Sequence, residues 1–296
     1  MTNYKDDYAR STVTIQILQV SVTGKSMAKV MTNEQVEQYY RLGYVHPFRA
    51  VSAETAIEIR REIEEFEARM GNEAQQFLKI KAHLPFKSLT DLVCHPRILD
   101  AVEDVIGPNI LCWGSSFFQK NARDPRYVSW HQDSYYYGME PANTCTAWIA
   151  ISTSNIASGC VKVIPGSHLV QSEFDTNPDP NNLLPRGQTT ANVDASKAVN
   201  MELKPGEFSL HHEAIVHNSE PNNSDDRRIG LSVHYIPTST KQVRFVPQGK
   251  KPAAMLVRGI DVHNHWDKET PTELQFDSAM FEYLECLKRE YYARTV

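Results

Sequence analysis

The sequence has no long apolar run. Among its 296 residues, no stretch approaches the roughly 18 consecutive apolar residues that a membrane-spanning helix needs. The first residues also lack the order of a secretory signal, in which a basic segment precedes an apolar segment and a small-residue cleavage site. We therefore expect a cytoplasmic protein with no membrane partner.

Paired cysteines and runs of like charge are also missing. The five cysteines are scattered and never form a CxxC pair, which argues against a disulfide framework and against a structural zinc site. The 36 acidic and 31 basic side chains are interspersed and leave a net charge of −5, which gives no basic patch for nucleic acid. The expected partner is a small molecule, and the expected assembly is a monomer or homodimer.

Helix signals occupy the first third of the chain. Residues 1–28 show no clear period and are expected to form a variable or disordered extension. Thr32 and Gln35 form a capping-box pattern that begins a helix ending at Gly43. A second helix begins at Ser52, and a third helical stretch runs roughly over residues 89–106. The apolar face expected for the second helix consists of Ala56, Ile59, Ile63, Phe66 and Met70.

Beyond residue 109 the pattern changes to short strands separated by turn residues. The runs rich in β-branched and aromatic residues are 110–120, 146–151, 161–164, 207–212 and 229–236. They predict a mainly β protein with flanking helices, built as an antiparallel barrel or sandwich.

Two further segments complete the organisation. Residues 173–199 have no clear pattern, and a segment of that length inside a domain is typical of a lid. An amphipathic helix is expected after Pro271 and Thr272, with apolar residues at Leu274, Phe276, Met280, Tyr283 and Leu284. No linker interrupts residues 29–296, which we expect to form one domain.

A histidine and a carboxylate lie two residues apart where a strand pattern ends. In a strand, His131 and Asp133 would point to the same face. With one more histidine, this pair would complete the 2-His-1-carboxylate triad that binds non-haem Fe(II) and leaves open positions on the metal. An isolated HxD pattern is weak evidence and is more often a structural or surface feature.

Candidates for the third ligand follow in the second half of the chain. His211, His212 and His217 lie near a turn-rich segment that leads to Arg228. A histidine that ends one strand and an arginine that begins the next are neighbours if a hairpin-like connection joins the strands. The planar fork of an arginine suits a carboxylate ligand, such as an anionic cosubstrate that chelates iron.

Taken together, these motifs resemble the phytanoyl-CoA dioxygenase family of Fe(II)/2-oxoglutarate-dependent oxygenases. Their order along the chain matters, because several separated motifs are more specific than one. The resemblance covers about residues 32–240 and implies a double-stranded β-helix, or jelly-roll (cupin-like), core. The matching pieces are Thr32 to Val36, Gly43 to Val45, Trp130 to Asp133, Thr146 to Ala150, Gly159 to His168, and His217 to Gly230.

The resemblance also implies a set of site residues. His131, Asp133 and His217 would bind the iron; His217 is preferred over His211 and His212 because it alone begins the family's H-x-S-x-x-N-x-S pattern. Arg228 would hold the distal carboxylate of 2-oxoglutarate. The residues implied to line the cosubstrate side are Gln119, Trp148 and Ser219.

Substrate residues and reaction type are expectations of the same kind. Tyr135 or Tyr137 would line the substrate pocket, and Arg186, in the expected lid, would bind an anionic group or form a surface salt bridge. Some relatives are halogenases in which a small residue replaces the carboxylate ligand; because Asp133 is present, hydroxylation or another oxidation is favoured. No basic cluster of the kind that grips the phosphates of coenzyme A is present.

The resulting hypothesis is an oxygenase that uses Fe(II), 2-oxoglutarate and O2 to oxidise an unactivated C–H bond of a small metabolite or natural-product intermediate, releasing succinate and CO2. Two alternatives remain. One is a zinc hydrolase on the same three ligands, which would have no need of a buried Arg228. The other is a jelly-roll binding module without catalysis, because a fold does not establish a function.

Overall fold

A computed structural model describes residues 28–184, 187–244, 246, 250–274 and 277–293. The expected N-terminal extension lies outside the described residues except for Ala28. Arg186 and Phe276 lie outside them too.

The first helix forms as its capping signal predicts. Helix α1 covers Asn33–Leu42. The side chain of Thr32 accepts a hydrogen bond from the Gln35 amide at 3.3 Å, and Gln35 Oε1 accepts one from the Thr32 amide at 2.8 Å. Gly43 ends the helix with a left-handed φ of 83°. Strand β1, Tyr44–Arg49, follows directly.

Helix α2 covers Ala53–Met70 and confirms most of the predicted apolar face. Ser52 caps its first turn, and Ala56, Ile59, Ile63 and Phe66 are buried. Met70 is not part of this face: its side chain is 41% exposed, because it is the last residue of the helix. The predicted face was therefore one turn too long.

The third predicted helix is two helices. After a short helix α3 at Ala74–Phe77, helix α4 covers Lys87–Val93 and helix α5 covers Pro96–Ile106. Proline has no amide hydrogen and disfavours a helical conformation at the preceding residue. His95 accordingly adopts an extended conformation, and Pro96 starts α5 at a position where no amide donor is required.

Most strands lie in two sheets. In chain order the remaining elements are β2 Ile110–Lys120, β3 Val128–His131, α6 Ser134–Tyr137, β4 Met139–Glu140, β5 Cys145–Ala150, β6 Val161–Val163, β7 Phe174–Thr176, β8 Gln188–Thr190, β9 Val199–Met201, β10 Glu207–His212, β11 His217–Ser219, β12 Arg228–Pro237, β13 Lys241–Gln242, β14 Ala253–Arg258, β15 Asp267–Lys268 and α7 Ser278–Ala293. The larger sheet has the order β1-β10-β5-β12-β2-β14-β15, and the smaller has the order β3-β11-β6-β9.

The chain passes repeatedly from one sheet to the other. Strands β2, β5, β10 and β12 belong to the larger sheet, whereas β3, β6, β9 and β11 belong to the smaller one. An apolar cluster that includes Trp148, Val163, Met201 and Ile215 fills the space between the two sheets. The helices pack on the opposite face of the larger sheet. A second apolar cluster lies there and includes Ile63 of α2 and Leu231 of β12. The predicted fold class, mainly β with flanking helices around a jelly-roll core, is confirmed.

The segment expected to be irregular is partly ordered into a hairpin. Strands β7 and β8 pair antiparallel, and their connection is held against β3. The Tyr127 amide donates to Asn181 O at 2.9 Å, and Asn182 Nδ2 donates to Ser129 Oγ at 2.8 Å. These bonds fix the hairpin to the strand that ends at His131; its role as a lid stays a prediction.

The last helix begins later than its sequence pattern suggested. Leu274 precedes α7 and is 68% exposed, whereas Leu284 is buried. Phe281 stacks on Phe66 of α2 with ring centroids 5.2 Å apart, which fastens α7 to the helical layer. None of the described helices is both long enough and apolar enough to cross a membrane.

Candidate metal centre

Strand pairing brings two histidines together. In the antiparallel pair β3 and β11, His131 lies directly opposite His217, and their ring centroids are 4.0 Å apart. His217 also lies opposite Val163 of β6, whose side chain belongs to the cluster between the sheets. Residues directly opposite each other share a face of the sheet. Both imidazoles therefore point into the space between the two sheets.

Asp133 joins the histidines by a turn of the chain and not by strand alternation. Strand β3 ends at His131, and Asp133 has helical dihedral angles at the start of α6. The intervening Gln132 fixes this turn, because its buried amide donates to Val170 O at 2.9 Å and accepts from the Ser172 amide at 2.8 Å. The structure thus corrects the expected strand geometry but still leaves Asp133 Oδ1 3.3 Å from His131 Nε2.

The three side chains form a compact donor set. One atom of each of His131, Asp133 and His217 lies within 4.8 Å of the other two, and this is the only such group of metal-binding side chains in the described part of the chain. His131 Nδ1 lies 2.9 Å from Ser129 O, and His217 Nδ1 lies 2.9 Å from Ile215 O. These carbonyls hold the Nδ1–H donors and leave each Nε2 with a free lone pair, the arrangement that a metal-binding histidine requires.

The charge state of this group also suits a divalent cation. Burial opposes ionisation of Asp133, but His131, His217 and His234 together hold the pKa of its carboxyl well below the usual range. Burial, aided by His131, lowers the pKa of His217 to about 4. At neutral pH the cluster therefore offers a carboxylate and a neutral imidazole without competition from protons.

The other two candidate histidines have different neighbours. His211 of β10 faces His217, with ring centroids 5.2 Å apart, but is not a member of the donor set. His212 points the other way and packs against Tyr39 and His168, at ring centroid distances of 6.5 and 5.3 Å. The structure therefore brings only His217 to His131 and Asp133.

Tyr137 contacts the carboxylate of the donor set. The Tyr137 hydroxyl donates to Asp133 Oδ2 at 2.8 Å. The hydroxyl oxygen of Tyr137 also lies 3.2 Å from Nδ1 of His234. Trp113 packs edge-on against the Tyr137 ring at 4.6 Å. Tyr135, in contrast, packs on Phe174 of β7 at 4.3 Å. Sequence reasoning missed Trp113 and His234, because neither lies in a motif.

Arg228 lies deeper between the sheets, at the start of β12. Its side chain is 1% exposed, its Nη2 donates to Ser219 Oγ at 2.9 Å, and its guanidinium lies 5.3 Å from the centre of the Trp148 ring. The buried Nε has no hydrogen-bond partner, and no carboxylate of the described residues lies within 4.0 Å of this guanidinium. Burial lowers the pKa of Arg228 to about 10, so the guanidinium remains charged at neutral pH.

A glycine makes room for the ring beside Arg228. A Cβ added to Gly230 would collide with the six-membered ring of Trp148. Gly230 lies directly opposite Ala150 of β5, two residues after Trp148, so the ring leans across the glycine towards the guanidinium. The Arg228-Ile229-Gly230 motif therefore supplies both a cation and the space for its aromatic neighbour.

Gln119 was expected to line the cosubstrate side, but the structure does not place it beside Arg228, Trp148 and Ser219. It lies opposite Ile229, whereas its neighbour Lys120 lies opposite Arg228. Ile229 belongs to the cluster under the helices, so Gln119 points to the helical side of the larger sheet. The buried cation beside Arg228 is therefore Lys120, which sequence reasoning missed.

The donor set and the arginine fit a metal ion and an anionic chelator. Two imidazoles and a carboxylate are ligands that non-haem Fe(II) accepts. The unpartnered Nε and uncompensated charge of Arg228 leave a buried cation in need of an anion. Two facing sheets with this cluster between them define a jelly-roll protein with a candidate metal centre.

The family follows from the comparison of sequences. The phytanoyl-CoA dioxygenase (PhyH) family model matches residues 39–230, about two thirds of the chain. The chain belongs to the phytanoyl-CoA dioxygenase family, which is a family of Fe(II)/2-oxoglutarate-dependent oxygenases.

Individual relatives are distant. A probable phytanoyl-CoA dioxygenase of Caenorhabditis elegans is 27% identical over 151 residues, which is 48% of each chain, so the match spans about half the length of that relative. A probable alpha-ketoglutarate-dependent hypophosphite dioxygenase of Stutzerimonas stutzeri is 26% identical over 69% of this chain and 78% of its own. The solved structure of the non-heme monooxygenase ThoJ, in its apo form, is 28% identical with a TM-score of 0.73 and covers 88% of this chain and 96% of its own.

Proposed function

We propose that this protein is an Fe(II)- and 2-oxoglutarate-dependent oxygenase that acts on a small molecule. The observation that carries the proposal is the convergence of His131, Asp133 and His217 within 4.8 Å, on a scaffold that also buries Arg228 without a carboxylate partner among the described residues. Family membership supports the same class of reaction.

In this proposal each side chain has a defined role. His131, Asp133 and His217 bind the iron through Nε2, a carboxylate oxygen and Nε2. Arg228 pairs with the distal carboxylate of 2-oxoglutarate, with Trp148 and Ser219 beside it. When bound, iron and 2-oxoglutarate together supply the oxidising chemistry with O2, and succinate and CO2 are released.

The rest of the protein orients these groups and excludes water. Backbone carbonyls fix the imidazole rings of His131 and His217, and the Tyr137 hydroxyl donates a hydrogen bond to Asp133 Oδ2. His131 and His217 are almost fully buried, and burial strengthens the interaction between their lone pairs and a cation. Arg228 needs no proton transfer to bind an anion, because it is charged throughout the physiological range.

We propose that the reaction is hydroxylation, or another oxidation, of an unactivated C–H bond in a metabolite or natural-product intermediate. The presence of the Asp133 carboxylate supports this proposal over halogenation, since the carboxylate fills the position that a halide would take. Tyr137, beside the donor set, and Tyr135, beside the β7 hairpin, are the proposed contacts of the substrate.

Further predictions accompany this function. Residues 29–296 form one domain, the protein acts in the cytoplasm as a monomer or homodimer, and no nucleic acid takes part. A ligand role for Arg186 also stays a prediction.

The proposal is tested by replacing one of two adjacent arginines. Arg228→Met removes the buried cation, whereas Arg227→Met removes a cation that pairs with Glu64 and Glu67 outside the site. We expect Arg228→Met to raise the KM for 2-oxoglutarate in succinate release by about 100-fold or more, because a buried ion pair loses one partner. Arg227→Met should leave that KM within about threefold of wild type.

Two other measurements, substrate turnover without cosubstrates and divalent-metal binding, separate the alternatives. Turnover that continues without O2 and 2-oxoglutarate would identify a zinc hydrolase. A folded protein that binds no divalent metal, with stability unchanged by a chelator, would identify a binding module without catalysis. Equal 2-oxoglutarate kinetics in the two arginine variants would refute the assignment of Arg228.

A further inference from the structure

The β7–β8 hairpin is anchored to the strand that carries His131. The hydroxyl of Ser129, in β3, donates a hydrogen bond to Gln188 O of β8 and accepts one from Nδ2 of Asn182 at 2.8 Å. These three residues are at most 8% exposed. Because buried polar groups that lose their partners are costly, β8 depends on the Ser129 hydroxyl to stay in place.

The same serine supports a metal ligand through its backbone. The carbonyl oxygen of Ser129 lies 2.9 Å from Nδ1 of His131, and this contact leaves Nε2 of His131 available for a metal. Ser129 therefore contacts the hairpin with its side chain and the metal-binding imidazole with its backbone. A displacement of the hairpin that moves Ser129 also moves the support of that ring.

A second connection runs through the buried side chain of Gln132, which is 1% exposed. Its Nε2 donates to Val170 O at 2.9 Å and to Ala214 O at 2.5 Å. Its Oε1 accepts from the Ser172 amide at 2.8 Å and from Nε2 of Gln171 at 2.9 Å. Two donated and two accepted bonds use the full capacity of a carboxamide, so its orientation is fixed.

The bonds of Gln132 join three segments of the chain. Residues 170–172 lead into β7, and Ala214 precedes the ligand His217 by three residues. Gln132 itself separates the other two ligands in the sequence. Both strands of the hairpin are thus connected to residues that hold metal ligands: β8 through Ser129, and β7 through Gln132.

We propose that the β7–β8 hairpin and the metal centre are coupled through Ser129 and Gln132, so that bound metal stabilises the anchored hairpin and the anchored hairpin strengthens metal binding. This inference rests on the part of the proposed function that assigns the metal to His131, Asp133 and His217. Ser129 and Gln132 are positioning residues, because they act through the ligands.

The coupling has one magnitude in both directions. A metal needs its ligands held in a single geometry, and the contacts around the ligands supply part of that order. The protein with an anchored hairpin therefore binds metal more tightly than the protein with a detached hairpin. Metal in turn shifts the equilibrium towards the anchored hairpin by the same factor, which for coupled sites is typically about 5- to 150-fold.

Hydrogen–deuterium exchange of β7 and β8 measures detachment of the hairpin directly. The full-length protein is compared under nitrogen with and without saturating Fe(II), in the absence of 2-oxoglutarate, and peptides that cover the two strands are followed by mass spectrometry. We expect Fe(II) to slow their exchange by about fivefold or more in wild type.

Ser129→Ala removes the anchoring hydroxyl and keeps the carbonyl that contacts His131. In this variant the slowing by Fe(II) should be about twofold or less, and the Kd for Fe(II) should rise by about fivefold or more. A purely structural role of Ser129 would speed exchange equally with and without Fe(II), so the ratio of the two rates would keep its wild-type value.

Ser154→Ala is the matched control. It also removes a buried serine hydroxyl, but this hydroxyl has no hydrogen-bond partner, and the residue pairs with Leu203 away from the hairpin. The control should match wild type in its Fe(II) affinity and in the slowing of exchange.

The outcomes separate this inference from the proposed function. A wild type that binds no Fe(II) would overturn both. A wild type that binds Fe(II) without any change in the exchange of β7 and β8 would overturn the coupling alone, even if Ser129→Ala does not fold. Equal slowing by Fe(II) in wild type and folded Ser129→Ala would also overturn the coupling, whatever the protein does with 2-oxoglutarate.

Discussion

At the scale of single residues, the atoms left without protein partners determine what the centre can bind. Carbonyl oxygens occupy Nδ1 of His131 and of His217, so both Nε2 atoms face the carboxylate of Asp133. In the guanidinium of Arg228, Nη2 donates a hydrogen bond to Ser219, whereas the buried Nε has no partner. These free atoms distinguish a binding site from an ordinary buried polar network, in which each group finds a partner within the protein.

Tyr137 provides a test of how the carboxylate is held. Its hydroxyl donates to Asp133 Oδ2, which leaves Oδ1, the oxygen nearer to His131, available for the metal. We expect Tyr137→Phe to weaken Fe(II) binding by about 10- to 100-fold, because the carboxylate loses the contact that orients it. Anaerobic competition with a chromophoric chelator measures this affinity.

Tyr136→Phe is the matched control for that experiment. Tyr136 lies on the same short helix and, like Trp113, packs against an apolar cluster that includes Met139 and Trp266. Its variant should bind Fe(II) like wild type. An unchanged affinity in Tyr137→Phe would show that the phenol does not orient Asp133.

Part of the site is predictable from local sequence, and part depends on tertiary register. His131, Asp133, His217 and Arg228 lie in recognisable motifs, although Asp133 reaches the centre through a turn fixed by Gln132. The neighbour of Arg228 was not predictable, since choosing between Gln119 and Lys120 requires the exact pairing of β2 with β12. A shift of one residue in that pairing exchanges the two faces of the strand.

At the scale of secondary structure elements, the capping signals and strand runs predicted the fold well. The boundaries of α1, β2 and β10 match the sequence patterns closely. The errors have local causes: Pro96 divides one predicted helix into two, and the β7–β8 hairpin is held by bonds to β3 that no sequence period reveals. Apolar periodicity also extends the face of α2 to Met70, where the helix ends at the surface.

Two residues of α2, one buried and one exposed, test which positions of this helix belong to the apolar core. Phe66 is fully buried and contacts the rings of Phe77, Phe86 and Phe281 at centroid distances of 5.4, 5.2 and 5.2 Å. We expect Phe66→Ala to lower the free energy of unfolding by about 3–5 kcal/mol, because it leaves a cavity among these rings. Met70→Ala, at an exposed position of the same helix, should change it by less than about 1 kcal/mol. Urea denaturation measures both values, and similar losses would contradict the packing described for α2.

At the scale of the whole molecule, buried titratable groups make stability depend on pH in two opposite ways. Burial lowers the pKa of both His83 and His212 to about 3, from an ordinary 6.5. The unfolded chain binds more protons at these histidines, so their contribution is fully present above pH 6.5 and is lost as the pH falls towards 3. Burial raises the pKa of Glu213 to about 8, so the folded protein holds an extra proton at this carboxyl between pH 4.5 and 8.

Glu213 therefore predicts a decline in stability on the alkaline side. Between pH 6.5 and 8 ionisation of Glu213 favours the unfolded chain, so the free energy of unfolding of the metal-free wild type should fall by about 1.4 kcal/mol per pH unit relative to that of Glu213→Gln. Glu213→Gln keeps a partner for Thr144 and removes this titration, so the difference between the two proteins isolates Glu213 from other buried groups, such as Lys120, whose ionisation also changes stability in that range. Urea denaturation at several pH values measures this, and an equal decline in wild type and variant would exclude Glu213 as its source.

The central claim is that His131, Asp133, His217 and Arg228 form one site for Fe(II) and 2-oxoglutarate. The most direct measurement is anaerobic visible spectroscopy of the Fe(II)-loaded protein during addition of 2-oxoglutarate. A weak charge-transfer band should appear with saturation in wild type, disappear in Asp133→Ala and require much more 2-oxoglutarate in Arg228→Met. A folded, iron-loaded wild-type protein that shows no band, or an unchanged band in both variants, would contradict the account.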